Sequence, residues 1–84
     1  MPSKEYHYVY ILISEIDNSR HYTGCTADLQ ERLHKHNKGD VTHTAKYLPW
    51  HIETAIRFSS IEKAREFEKY LKSGSGREFA RKHF

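Results

Sequence analysis

Two tyrosine tripeptides stand near the N-terminus, Tyr8-Val9-Tyr10 and Tyr22-Thr23-Gly24. Arg32-Leu33-His34-Lys35-His36 follows them, and a single Glu68 lies inside a later apolar stripe. Phenols, a basic pair and a carboxylate in that order suggest a phosphodiester-cleaving site. The chain has six tyrosines, at positions 6, 8, 10, 22, 47 and 70. Core tyrosines with a bonded hydroxyl are the common case. Tyr8 and Tyr10 share one face of an ideal strand, and Tyr22 can be reached across a hairpin. Two phenols beside a basic helix and a carboxylate make a polar cluster on one sheet face. That combination is harder to explain by packing than any one of its members.

The elements that must hold these groups can be read from the pattern. Tyr6 to Ile13 is apolar on both faces, which predicts a central strand covered on both sides. Asp17-Asn18 marks a turn, and Arg20 to Cys25 reads as the second strand of a hairpin. A helix begins near Thr26 or Asp28, either of which can cap it, and stops at Gly39. Asp40 to Pro49 has no clear period and reads as a loop. Trp50 to Phe58 reads as a third strand. Ser59-Ser60 caps a helix running to about Lys72, which Gly74 ends. Ser75-Gly76-Arg77-Glu78 has capping-box spacing and predicts a short terminal helix. The order is strand, strand, helix, strand, helix, helix, with no repeat or low-complexity segment.

The wheel positions single out three side chains. At about 100° per residue, His36 falls nearly over Leu29, with Arg32 on the flank of the same stripe. The bland reading is a snorkelling arginine and a satisfied boundary histidine. Ile61, Ala64, Phe67 and Leu71 define the stripe of the later helix, and Glu68 falls within it. An inward carboxylate is costly unless it is paired or holds a metal. An ion pair with Arg32 and a Mg²⁺ or Mn²⁺ ligand are equally compatible with the pattern.

Composition sets bounds. At 84 residues the chain fits one small domain with one core. The lone Cys25 excludes an intramolecular disulfide and fits a reducing cytoplasm. No apolar run approaches membrane-spanning length, and Met1-Pro2-Ser3-Lys4-Glu5 lacks the apolar segment of a leader. Lys and Arg number 14 against 11 Asp and Glu, and a net charge of +3 permits nucleic-acid binding without arguing strongly for it. Residues 72–84 hold Lys72, Arg77, Arg81, Lys82 and His83 against the single acid Glu78. On charge alone that is a solvated terminal helix.

The ordered set Tyr8-Val9-Tyr10, Tyr22-Thr23-Gly24, Arg32 with His36, and Glu68 closely resembles the GIY-YIG nuclease superfamily, above all its small single-domain bacterial members. The likeness runs from about Tyr8 to the end. It includes His36-Asn37-Lys38-Gly39, Pro49-Trp50 and Leu71-Lys72-Ser73-Gly74-Ser75-Gly76-Arg77. The resemblance implies an α+β fold over residues 1–84, a small three-stranded antiparallel sheet flanked by helices in the order β-β-α-β-α-α. It implies metal-dependent hydrolysis of DNA, in repair or recombination, with one Mg²⁺ or Mn²⁺.

Carried over residue by residue, Tyr10 and Tyr22 match the motif tyrosines, one of which would activate water. A phenol has an unperturbed pKa near ~10, so that role needs positive charge or metal beside it. Arg32 would stabilise charge on the phosphate, His36 would assist catalysis or orient the tyrosine, and Glu68 would bind the metal. His43 matches a further histidine of some members. The first motif begins with Tyr8 rather than glycine. The family's late asparagine is missing, since no Asn follows Asn37, and Ser73 and Ser75 are its candidate replacements. Lys46, Lys72, Arg77, Arg81 and Lys82 are the expected nucleic-acid contacts. The chain has no room for a recognition domain, so a protein partner would supply sequence specificity. The alternative is a nucleic-acid-binding module of the same fold with little or no turnover. A zinc site from His34, His36, His43 and His51 matches no standard spacing.

Overall fold

The computed structural model describes residues 6–84. The leader reading of Met1 to Glu5 lies outside the described residues. The elements are β1 (His7–Ser14), β2 (His21–Thr26), α1 (Leu29–Asn37), a 3-10 helix (Thr42–Tyr47), β3 (Trp50–Phe58), α2 (Ile61–Leu71) and α3 (Gly74–His83). The strands form one antiparallel sheet in the order β2-β1-β3. This is the α+β fold and element order that the sequence predicts. No helix among the described residues is long and apolar enough to cross a membrane.

β1 is central and divides two cores. Val9 and Ile11 pack with Ala64 and Leu71 of α2, joined by Cys25, Phe58, Phe67, Phe79 and Ala80. Tyr10 and Leu12 point the other way and pack with Trp50, Leu29, Leu33, Tyr22 and Ile52. The uninterrupted apolar run of β1 follows from this, because a strand covered on both faces has no side for polar residues. One irregularity marks β3: Ile11 pairs with Thr54 and Leu12 with Ile52, which leaves Glu53 as the extra residue of a bulge.

The caps fix the helix starts. Asp28 accepts from the Glu31 amide at 3.1 Å, and Ser60 accepts from the Lys63 amide at 3.2 Å. Each satisfies an amide that the helix leaves without an internal partner.

Two expectations are corrected. Asp40 to Pro49 is not all loop. It contains the 3-10 helix, whose Thr44 is fully buried. The stabilising contacts come from elsewhere in the chain, since the Trp50 indole N–H donates to the Thr44 carbonyl at 2.9 Å. The terminal helix is capped by Ser73, not Ser75. Ser73 Oγ accepts from the Gly76 amide at 3.1 Å, while Glu78 pairs with Arg81 instead of reaching back to a cap. α2 therefore ends at Leu71, and Gly74 opens the next helix rather than closing this one.

Candidate active site

β1 places Tyr10 under α1. The phenol is 2% exposed. Its cross-strand partner is Gly24, and the ring lies directly over that glycine. A methyl group there would sit 2.4 Å from the Tyr10 hydroxyl and 2.6 Å from Cζ. The second tripeptide thus ends in glycine so that the phenol of the first can cross the sheet. Gly24→Ala is expected to push the phenol aside, at a cost of about 1–3 kcal/mol. Thermal unfolding checks this, and an unchanged melting temperature with an unchanged Tyr10 environment would refute it.

α1 supplies the imidazole. The Tyr10 hydroxyl lies 3.0 Å from His36 Nε2. His36 is fully buried, and its Nδ1 lies 2.9 Å from Thr44 Oγ1. Tyr22, on the same sheet face, completes the cluster, its ring centroid 4.8 Å from that of His36 and 6.4 Å from that of Tyr10. Arg32 comes one turn before His36 on α1. Its guanidinium acts on both Tyr10 and His36, yet its buried Nε finds no partner in the protein. Buried polar atoms are almost always satisfied, so an unpartnered one beside such a cluster is notable.

Burial dominates the electrostatics. It pushes the Tyr10 phenol up to about 12; hydrogen bonding from Arg32, and to a lesser degree the Arg32 charge, opposes the rise, while Tyr22 and Glu68 add to it. Burial, and next the Arg32 charge, lowers the His36 pKa below its ordinary value, which keeps the ring neutral. Burial raises the Cys25 thiol, with the Glu68 charge a further cause. The Glu68 carboxylate is thus felt on both faces of the sheet.

Glu68 itself is 23% exposed, and its Oε2 lies 3.0 Å from Lys72 Nζ, one turn further along the chain. The partner of the inward carboxylate is therefore Lys72 rather than Arg32. Lys72 also lines a cavity of about 700 Å³ between the sheet and α3, with Tyr22, Arg77, Arg81 and Phe84.

The remaining sequence candidates are spread out. His43 and Lys46 are exposed on the 3-10 helix. The Ser73 hydroxyl is committed to the helix cap and to the Tyr70 carbonyl. Ser75 is exposed in the first turn of α3, and Lys82 is exposed near its end. Among the described residues no three His, Cys, Asp or Glu side chains gather to hold a metal ion. The four-histidine zinc reading fails on this and on His36, whose two ring nitrogens already have partners.

Sequence reasoning missed the layer behind His36. Asn37 clasps Trp50 through both main-chain groups, accepting from its N–H at 2.7 Å and donating to its carbonyl at 3.0 Å. Trp50 in turn holds Thr44. The shared Asn37 and Pro49-Trp50 segments were the available signal, though nothing in their spacing told what they held.

The α+β scaffold thus brings a phenol, a buried imidazole and a guanidinium together on one face of the sheet. A family model, the GIY-YIG catalytic domain, matches residues 6–82. The chain belongs to the GIY-YIG family, whose domains are generally endonucleases. A search of curated proteins returned no match.

Proposed function

We propose that this chain is a metal-dependent endonuclease that hydrolyses DNA phosphodiester bonds, acting in the cytoplasm in repair or recombination. The observation that carries the reading is the 3.0 Å contact between the Tyr10 hydroxyl and His36 Nε2, beside an arginine with an unpartnered buried Nε.

A phenol with a pKa of about 12 stays protonated at neutral pH. It can accept a proton from water only as its own proton leaves. His36 is the group to take it, because its ring is neutral and its Nε2 faces the hydroxyl. One proton then moves from water to the Tyr10 oxygen while another moves from that oxygen to Nε2. The water oxygen attacks phosphorus as the bond from phosphorus to the leaving sugar oxygen breaks, and the His36 imidazolium holds the transferred proton, which it can return to that leaving oxygen. Arg32 has donors to spare and stabilises the charge that grows on the phosphate oxygens.

Glu68 fits a Mg²⁺ or Mn²⁺ site. It is a half-buried oxygen donor whose ion-pair partner among the described residues is Lys72, and such ions accept one carboxylate while keeping several waters. When bound, the ion would supply Lewis-acid stabilisation of the phosphate and leaving oxygen. Lys72, Arg77 and Arg81 line the cavity beside Tyr22. Their charges suit sugar-phosphate backbone rather than base edges, which supports structure-directed binding, with any sequence specificity coming from a protein partner.

The test is incubation of purified protein with Mg²⁺ or Mn²⁺ and duplex, branched and single-stranded DNA. Glu68→Gln is expected to lower cleavage by about 10²-fold while the protein still binds DNA. Binding without cleavage under either metal would instead establish a nucleic-acid-binding module, the reading favoured by the engaged Ser73 hydroxyl and the missing late asparagine.

A further inference from the structure

We infer that Thr44 is a positioning residue that holds His36 in the one tautomer able to receive the Tyr10 proton. This rests on the proton path proposed above, but it is read from separate contacts. Thr44 has no exposed surface and belongs to the 3-10 helix rather than to any motif residue.

The direction of the hydrogen bonds follows from counting protons. Thr44 Oγ1 lies 3.2 Å from the Val41 carbonyl oxygen, which can only accept and so offers the single hydroxyl proton an acceptor. With the proton placed there, the same oxygen presents a lone pair to His36 Nδ1 at 2.9 Å, and Nδ1 carries the hydrogen. A neutral imidazole has one N–H. Nε2 is therefore bare, and the Tyr10 hydroxyl donates to it. The whole chain points one way, from Tyr10 through His36 and Thr44 to a backbone carbonyl. With the opposite tautomer, Nε2–H would face the phenol as a donor and could accept nothing.

The position of Thr44 is itself held. Its carbonyl accepts from the Trp50 indole at 2.9 Å, and Asn37, the residue after His36, fastens Trp50 to α1. Thr44 is thus fixed relative to the imidazole it orients by the helix that carries that imidazole.

The experiment reads the tautomer directly. In uniformly ¹⁵N-labelled protein, long-range proton–nitrogen correlations of the histidine rings distinguish Nδ1–H from Nε2–H, with His36 assigned by comparison with His36→Gln. The wild-type ring is expected in the Nδ1–H form. Thr44→Val keeps the shape and removes the hydroxyl. It is expected to lose the Nδ1–H preference and to lower kcat roughly 10- to 100-fold with little change in KM, and Thr44→Ser is expected to restore both. An Nε2–H ring in the wild type overturns the proposal without any variant. So does a Thr44→Val protein that keeps the Nδ1–H form. A chain that cleaves no DNA overturns the nuclease reading alone, and the ring spectrum still decides the role of Thr44.

Discussion

Tyr10→Phe is expected to lower DNA cleavage by roughly 10²- to 10⁴-fold, the usual span for removing a general acid–base group. The ring remains, so the packing with Leu12 and Trp50 and the crossing over Gly24 are kept. What goes is the oxygen that the proposed path places between water and His36 Nε2. The buried imidazole is left with one partner, Thr44, at a cost of about 1–3 kcal/mol. Single-turnover rates measured well below the melting temperature separate this loss from the loss of chemistry. Tyr22→Phe is the comparison, because Tyr22 packs against the same imidazole ring without the 3.0 Å bond. If Tyr22→Phe shows the greater rate loss and Tyr10→Phe cleaves normally, the proton path through His36 is wrong.

Gly76→Ala is expected to be the most damaging small substitution for stability. Gly76 is buried where α3 turns back on the end of α2. An added Cβ would lie 1.8 Å from the Tyr70 carbonyl oxygen, 2.4 Å from its carbon and 2.6 Å from Leu71 Cα. All three are backbone atoms, which cannot rotate out of the way as a side chain can. Relief requires α3 to lift from α2, which uncovers Phe67 and Phe79 in the core they share with Val9 and Ile11. Overpacking of this kind costs about 3 kcal/mol or more, or a fall in Tm of roughly 10–25 °C for a domain this small. Gly74→Ala, with nothing within 4 Å of the added carbon, is the control and should leave Tm nearly unchanged. Equal melting temperatures for the two variants would show that the junction is looser than these distances imply.

The sheet was legible because its signals are local. β1 declares itself by being apolar on both faces, and the Asp17-Asn18 turn dictates the hairpin. Wheel positions brought His36 and Arg32 to the edge of the α1 stripe, where they meet the phenols. The sequence left Glu68 open between an ion pair with Arg32 and a metal ligand, because a wheel shows which way a carboxylate points but not what it meets. Lys72 follows one turn later on the chain, whereas Arg32 lies on another helix. The cap of α3 shows a similar ambiguity. Ser73 and Ser75 both precede a helix-compatible run, and only the close packing of Gly76 against α2 selects the first. Thr44 had no local signal at all. Its 3-10 turn is defined by contacts from Trp50 and His36, which lie on either side of it in sequence.

The division of the molecule by β1 has a consequence for its motions. Tyr10 lies between Val9 and Ile11 on the central strand, and those two neighbours anchor the opposite core. A shift of the strand backbone that displaces the phenol therefore disturbs both hydrophobic layers. In many enzymes the reactive groups sit on loops that open at little free-energy cost. Here the proposed reactive group belongs to the buried central strand, so opening the site is expected to cost more than opening a loop. A substitution that loosens either core, even on the face away from the proposed site, is therefore expected to disturb the placement of the phenol as well as stability.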